Sequence, residues 1–238
     1  MKNTLLVIGG WAVDASVLEP VFGKKATYVD INRLMPFLIS DGRLISDWQA
    51  KLKNLLSLNE SQRITLAGWS TGAIAAAAIA SLINCSKLIL LSSTPSFCRR
   101  DNFRYATPPL IVKNMIKSIK ENKIQVLQQF YSQCGFTDLT IDYNRYSDEE
   151  LVCGLQFLEQ VNLIPMLTLP LPSFPVYCLH GSEDRIIPAA AGKYLCQKIG
   201  GKWIQSDGSH VFFTEKSCKI ENIIASIFPE RNNSDVTV

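Results

Sequence analysis

Histidine is nearly absent from this chain. His180 and His210 are the only two in 238 residues, so chemistry that needs an imidazole base must draw on one of them. Phosphate-cradling patterns are missing too. Neither G-x-G-x-x-G nor G-x-x-x-x-G-K-[ST] occurs, which removes the common nucleotide-binding turns. No C-x-x-C pair occurs among the cysteines at 85, 98, 134, 153, 178, 196 and 218, so neither a zinc site nor a thioredoxin-like motif is supported. Their odd number and wide spacing argue against a disulfide framework. They are expected to be small buried hydrophobes in a reducing compartment, which points to the cytoplasm. Long apolar runs are lacking: Ala73–Ala80 and its flank fall far short of a membrane span. The opening "MKNTLLVIGGW" is too short for a signal peptide and no small-residue cleavage site follows. A formal net charge of +3 is too small to imply nucleic acid. There are no internal repeats and no low-complexity segment.

What remains is ordinary globular material, 47% hydrophobic and 19% charged, enough for one large core. Short apolar runs at 4–8, 26–30, 63–67, 87–92, 175–180 and 202–206 read as buried strands. Helical patterns at 43–57, 72–83, 189–199 and 215–228 separate most of them. This alternation predicts an α/β fold, a mostly parallel sheet with helices on both faces. Between Ser93 and Pro175 no strand is expected. The segments 108–122, 123–135 and 147–162 read as helices inserted between two strands. The expected division is a core of 1–93 and 174–230, a helical lid of 94–173 and a frayed polar tail of 231–238.

The stretch "LAGWSTGAIAAAAIA" carries the chemistry. Gly68-Trp69-Ser70-Thr71-Gly72 fits G-x-S-x-G, with a strand pattern before it and an alanine-rich helix after it. In such an elbow, small flanking residues let strand and helix pass closely, and the serine is held up at the tip of the sheet. The helix start beneath it favours developing negative charge. The plainer alternative is a glycine-bounded turn with an incidental serine. A serine hydroxyl needs a base. The order serine, acid, histidine selects His210, in the loop after the last strand, over His180, which ends a strand and is read as structural. The acid is expected after the penultimate strand, where Asp184 stands; Glu183 and Asp207 compete. An oxyanion would need two backbone N–H groups. Thr71 supplies one, and Trp11, after Gly9-Gly10, the other.

Together these residues resemble the α/β-hydrolase superfamily. The segments "GGWAVD", "GWSTGA", "LSSTPSFCRRDNF" and "GLQFLEQVNLIPMLTLPLPSFPV" resemble one branch, the BioH-type pimeloyl-acyl-carrier-protein methyl ester esterases. There are departures. Ile8-Gly9 stands where that branch often has His-Gly, Ala73 replaces a second glycine after the elbow, and the usual leading hairpin is reduced. The resemblance implies Ser70 as nucleophile, Asp184 as acid, His210 as base, and the amides of Trp11 and Thr71 as the oxyanion hole. It implies hydrolysis of a pimeloyl methyl ester on an acyl-carrier protein, with no cofactor and no metal.

Arg99, Arg100, Arg104, Lys113, Lys117, Lys120 and Lys123 outweigh Asp101 and Glu121 along the lid, and Lys113, Lys117 and Lys120 share one helix face. Beside a site mouth, that face could steer an acidic carrier; a solvated helix face is the plainer reading. Trp11, Arg99, Arg100, Arg104, Lys113, Lys117 and Lys120 are the expected substrate and carrier contacts. The elbow also fits a general short-chain carboxylesterase, a thioesterase or a menaquinone-pathway lyase. A non-catalytic binding module is the reading from another class. A monomer is expected, with no nucleic acid and no membrane as partner.

Overall fold

The computed structural model describes residues 3–59, 61–136, 142–168, 171–215, 218 and 220–228. In chain order the elements are β1 (Asn3–Ile8), α1 (Glu19–Phe22), β2 (Thr27–Val29), β3 (Ile39–Ser40), β4 (Arg43–Leu44), α2 (Trp48–Leu55), β5 (Arg63–Trp69), α3 (Thr71–Ile79) and β6 (Cys85–Leu91). There follow α4 (Pro109–Cys134), α5 (Asp148–Gln160), β7 (Val176–Gly181), α6 (Ala189–Lys198), β8 (Lys202–Ser206) and α7 (Ile220–Ile227). Six strands form one parallel sheet in the order β2-β1-β5-β6-β7-β8. The middle strands read as unbroken apolar runs because helices cover both faces; Ile64 to Trp69 of β5 are all buried.

The order of connection decides where a ligand can sit. The chain steps from β1 to β2 on one side, then crosses β1 to β5 and continues the other way. At such a reversal the loops leaving two adjacent strands part and open a crevice at their carboxyl ends. Here those are the loops after β1 and β5, which hold Gly9-Gly10-Trp11 and Ser70.

The elbow is built on absent side chains. A Cβ on Gly68 would stand 2.4 Å from the Gly72 carbonyl oxygen, and one on Gly72 would stand 2.3 Å from the carbonyl oxygens of Ile8 and Gly9. The start of α3 therefore lies directly on the ends of β5 and β1. Ala73, Ala75, Ala76 and Ala78 keep the rest of α3 close to the sheet, all of them buried.

Between β6 and β7 there is no strand among the described residues, only the helices α4 and α5 and short turns. The two helical segments expected at 108–122 and 123–135 form one element bent at Asn122, whose φ of −154° and ψ of 75° are not helical. Helix α5 opens with a capping box, Ser147 and Glu150 each bonding the other's backbone N–H. The insertion packs over the carboxyl edge of the sheet. The Tyr131 hydroxyl donates to the Ala12 carbonyl at 2.7 Å, the Trp11 indole N–H to the Leu151 carbonyl at 2.9 Å, and the Val211 N–H to the Cys134 carbonyl at 3.3 Å.

Several boundaries differ from expectation. The helix expected from residue 43 starts at Trp48, because β3 and β4 form a hairpin around Asp41-Gly42. Both turn residues have positive φ, 50° and 72°, as a tight two-residue connection requires. Strand β2 stops at Val29 because the Asp30 side chain accepts the Asn32 N–H and starts a short 3-10 turn. Helix α3 ends at Ile79 and passes into a 3-10 turn, Ala80–Leu82. Residue 215, where the last helix is expected to start, has extended backbone (ψ 135°) and its carboxylate accepts the Ser209 N–H at 2.8 Å; among the described residues the helix runs from Ile220. Six of the cysteines are buried and Cys85 is half-buried. The expected tail, 231–238, lies outside the described residues.

Candidate active site

Ser70 follows the last residue of β5 with φ 56° and ψ −120°, a sharp positive-φ turn for a residue that carries a side chain. Its own N–H bonds the Leu91 carbonyl at 3.0 Å, and its carbonyl accepts the N–H groups of Ala73 and Ile74. The backbone on both sides of the strain is thus held, and Oγ is aimed across the sheet edge. His210 Nε2 lies 2.9 Å from that Oγ. His210 Nδ1 lies 2.7 Å from Asp184 Oδ2. Residues 70, 184 and 210, from three different loops, are brought into one line of hydrogen bonds.

Each member has its own support. The His210 carbonyl accepts from the Trp69 indole N–H at 3.0 Å and from the Ser92 hydroxyl at 3.1 Å, so the residue next to the serine helps hold the histidine loop. Asp184 Oδ1 accepts the N–H groups of Ile186 and Ile187, at 2.9 and 2.8 Å. Asp184 Oδ2 also faces a second imidazole, His180 Nε2, at 3.2 Å. His180 Nε2 is 2.8 Å from the Ile187 carbonyl, an acceptor only, so Nε2 carries the proton and both contacts are donated. The rest of the His180 ring lies on Trp203, with ring centroids 5.6 Å apart.

Burial pushes the Asp184 carboxyl pKa up. The pull of His210, hydrogen bonds from His180 and His210, and the charge attraction of His180 outweigh it, so the group is held well below the usual carboxylate range. Burial, with the Asp184 charge adding to it, raises the nearby Cys134 thiol well above its ordinary value. That thiol stays protonated and does not compete as a nucleophile.

A line of serine, imidazole and carboxylate can pass the serine proton to the histidine as the oxygen attacks a carbonyl. The negative charge that results needs donors nearby. A Cβ on Gly10 would be 3.3 Å from the Ser70 Cβ, which measures how close the loop after β1 comes to the serine. Among the described residues neither the Trp11 N–H nor the Thr71 N–H has a hydrogen-bond partner, although both residues are buried. The Thr71 hydroxyl is likewise buried without one. Among the described residues no cluster suited to a metal ion occurs.

The competitors for the acid, Glu183 and Asp207, are exposed, whereas Asp184 is buried against His210. His180, read as structural, also bonds the same carboxylate. Trp11 departs from the expectation that its side chain meets a substrate or carrier. Its ring is buried against Phe130, centroids 4.8 Å apart, and its indole N–H is committed to Leu151, so what it can offer is the backbone N–H. Of the basic residues, Arg99, Arg104, Lys113, Lys117 and Lys120 are exposed. Arg100 turns inward: its guanidinium donates to the carbonyls of Glu159 and Val161 at 2.7 and 3.1 Å, which ties the loop to the end of α5 and removes it from a docking face. The residues missed from the sequence are those acting through backbone: Asn32, Ser92 and Tyr131. Only the spacing of His180 and Asp184, four apart across a strand end, offered a signal.

This sheet order, elbow and three-loop line of hydrogen bonds define an α/β-hydrolase fold. Among solved structures, the esterase EaEST from Exiguobacterium antarcticum shares it, with a TM-score of 0.71 at 16% identity over 97% of this chain and 92% of that one. MenH from S. aureus superposes with a TM-score of 0.71 at 18% identity, over 98% of this chain and 96% of that one. MGS-M2, an alpha/beta hydrolase enzyme from a Medee basin deep-sea metagenome library, gives 0.66 at 14% identity, over 100% and 92%. No family model matches the chain. Among curated proteins, the pimeloyl-[acyl-carrier protein] methyl ester esterase of Xylella fastidiosa (strain M23) is 28% identical over 137 residues, 52% of this chain and 53% of that protein. The chain thus matches about half the length of that relative.

Proposed function

We propose that this protein is a serine carboxylesterase working through an acyl-enzyme. The observation that carries the reading is the continuous line Ser70–His210–Asp184, at 2.9 and 2.7 Å, on a strained elbow. His210 takes the Ser70 proton as Oγ bonds to the ester carbonyl carbon. The amides of Trp11 and Thr71 hold the oxyanion. The tetrahedral intermediate collapses, the alcohol leaves with the proton from His210, and an ester to Ser70 remains. Water then attacks that ester, gives its proton to His210, and the acid leaves as Ser70 is reprotonated. Asp184, ionised by the contacts described, fixes the His210 tautomer and stabilises its cationic form.

The finer reading is that the substrate is the methyl ester of a pimeloyl chain on an acyl-carrier protein, with methanol as leaving group. The relative from Xylella fastidiosa supports it. So does the exposed basic set Arg99, Arg104, Lys113, Lys117 and Lys120, which suits an acidic carrier. A fluorophosphonate probe should label Ser70, and Ser70→Ala should abolish labelling and lower short-chain p-nitrophenyl ester turnover by about 10⁴-fold or more with the fold retained. Undiminished turnover in that variant would remove the proposal. Rates on the carrier-bound methyl ester against free short-chain esters separate the finer reading from a general carboxylesterase.

A further inference from the structure

Asn32 is fully buried, three residues past the end of β2, and its side chain touches the loop after β1 on both sides of Trp11. Its Oδ1 accepts the Ala12 N–H at 2.8 Å, and its Nδ2 donates to the Gly10 carbonyl at 3.1 Å. The second Nδ2 hydrogen goes to Asp30 Oδ1 at 2.8 Å. This orientation of the amide satisfies all three partners; the flipped one would set Oδ1 against a carbonyl and a carboxylate.

The geometry has one consequence for the serine. The Gly10 carbonyl and the Trp11 N–H belong to the same peptide unit, and in a trans peptide the two point in opposite directions. Drawing the carbonyl toward Asn32 therefore turns the Trp11 N–H away from Asn32. The next peptide unit is fixed by the same side chain through the Ala12 N–H. Ala12 has φ 58°, costly for a residue with a Cβ, and both of its polar groups are held: the N–H by Asn32 and the carbonyl by Tyr131. Asn32 is itself braced, since Asp30 accepts its backbone N–H at 3.1 Å and the Tyr146 hydroxyl at 2.7 Å.

We propose that Asn32 is a positioning residue that sets the direction of the Trp11 amide toward the oxyanion at Ser70. The inference rests on the hydrolytic reading of the Ser70 site. It predicts loss in turnover rather than in binding, because the amide acts on charge present only in the transition state.

The test compares wild type, Asn32→Leu and Asn32→Asp on a short-chain p-nitrophenyl ester and on its thiono counterpart, in which sulfur replaces the carbonyl oxygen. Sulfur is a weak hydrogen-bond acceptor, so the thiono ester gains little from the amide. The variants should lose about 10- to 100-fold in kcat on the oxygen ester with KM changed less than about twofold. They should lose much less on the thiono ester, so the preference for oxygen narrows. Equal losses on both substrates, or a loss carried by KM, would overturn the proposal. Asn32→Asp keeps the Ala12 contact and decides the matter if Asn32→Leu does not fold. Wild-type protein that neither hydrolyses the ester nor takes the phosphonate would instead defeat the hydrolytic reading itself, and with it the basis for Asn32's role.

Discussion

Asp184 is where two histidines and two backbone amides meet, and every lone pair of its carboxylate is used. The groups that face it and can titrate are His210, His180 and Cys134. Because its folded pKa is depressed, its contribution to stability is complete above the unfolded value of about 3.9 and is lost as pH falls through the folded value. His180 shares in that depression through its Nε2–H. Replacing it by Phe keeps an aromatic ring against Trp203 but removes the donor, so the Asp184 carboxyl is held down less. Acid unfolding followed by circular dichroism should therefore set in at higher pH in His180→Phe than in wild type, and return toward the wild-type pH in His180→Gln, whose terminal amide can replace the donor. A variant that melts earlier at neutral pH with an unmoved acid transition would make His180 a packing residue alone.

At the scale of elements, the elbow is the most demanding junction. An added methyl at residue 72 meets two carbonyl oxygens that belong to the strand end of β1 and the residue after it, and neither is a side-chain tip that can turn aside. Gly72→Ala should cost about 3 kcal/mol, the upper end of ordinary overpacking. Differential scanning calorimetry should then show a fall in Tm of roughly 10 °C. A change of a degree or two would mean that α3 can slide. This junction was legible in the sequence because its signal is local: Gly68, Ser70 and Gly72 lie within five residues, between a strand pattern and a helix pattern. The hairpin around Asp41-Gly42 is equally local, but its second strand, Arg43–Leu44, falls inside the apolar spacing of 43–57 that reads as a helix, and two residues are too short a run to show a strand period. Asn32 carried no signal of its own. Its partners, Gly10 and Ala12, are some twenty residues earlier, and they meet it through backbone atoms that no side-chain pattern encodes.

Across the whole molecule, the formal charge of +3 hides an uneven surface. Arg99, Arg104, Lys113, Lys117 and Lys120 crowd the entry to the helical insertion. The pairs nearby are loose, Lys113 with Glu159 at 3.5 Å and Lys117 with Glu121 at 3.9 Å. Ion pairs so exposed hold little energy and are readily exchanged for a partner's carboxylates. If an acidic carrier docks here, its binding should weaken steeply as salt rises from about 50 to about 500 mM. Lys117→Glu should raise the KM for the carrier-bound ester several-fold. Titration calorimetry that finds binding indifferent to both would remove the carrier from the proposal. The insertion's grip on the loop after β1, through Tyr131 on Ala12 and Leu151 on the Trp11 indole, has its own consequence. Were these helices to swing aside for a bulky acyl group, they would pull on the same turn that would cradle the oxyanion. Oversized substrates would then be admitted yet processed slowly, so the protein would measure its guest by how fast it reacts.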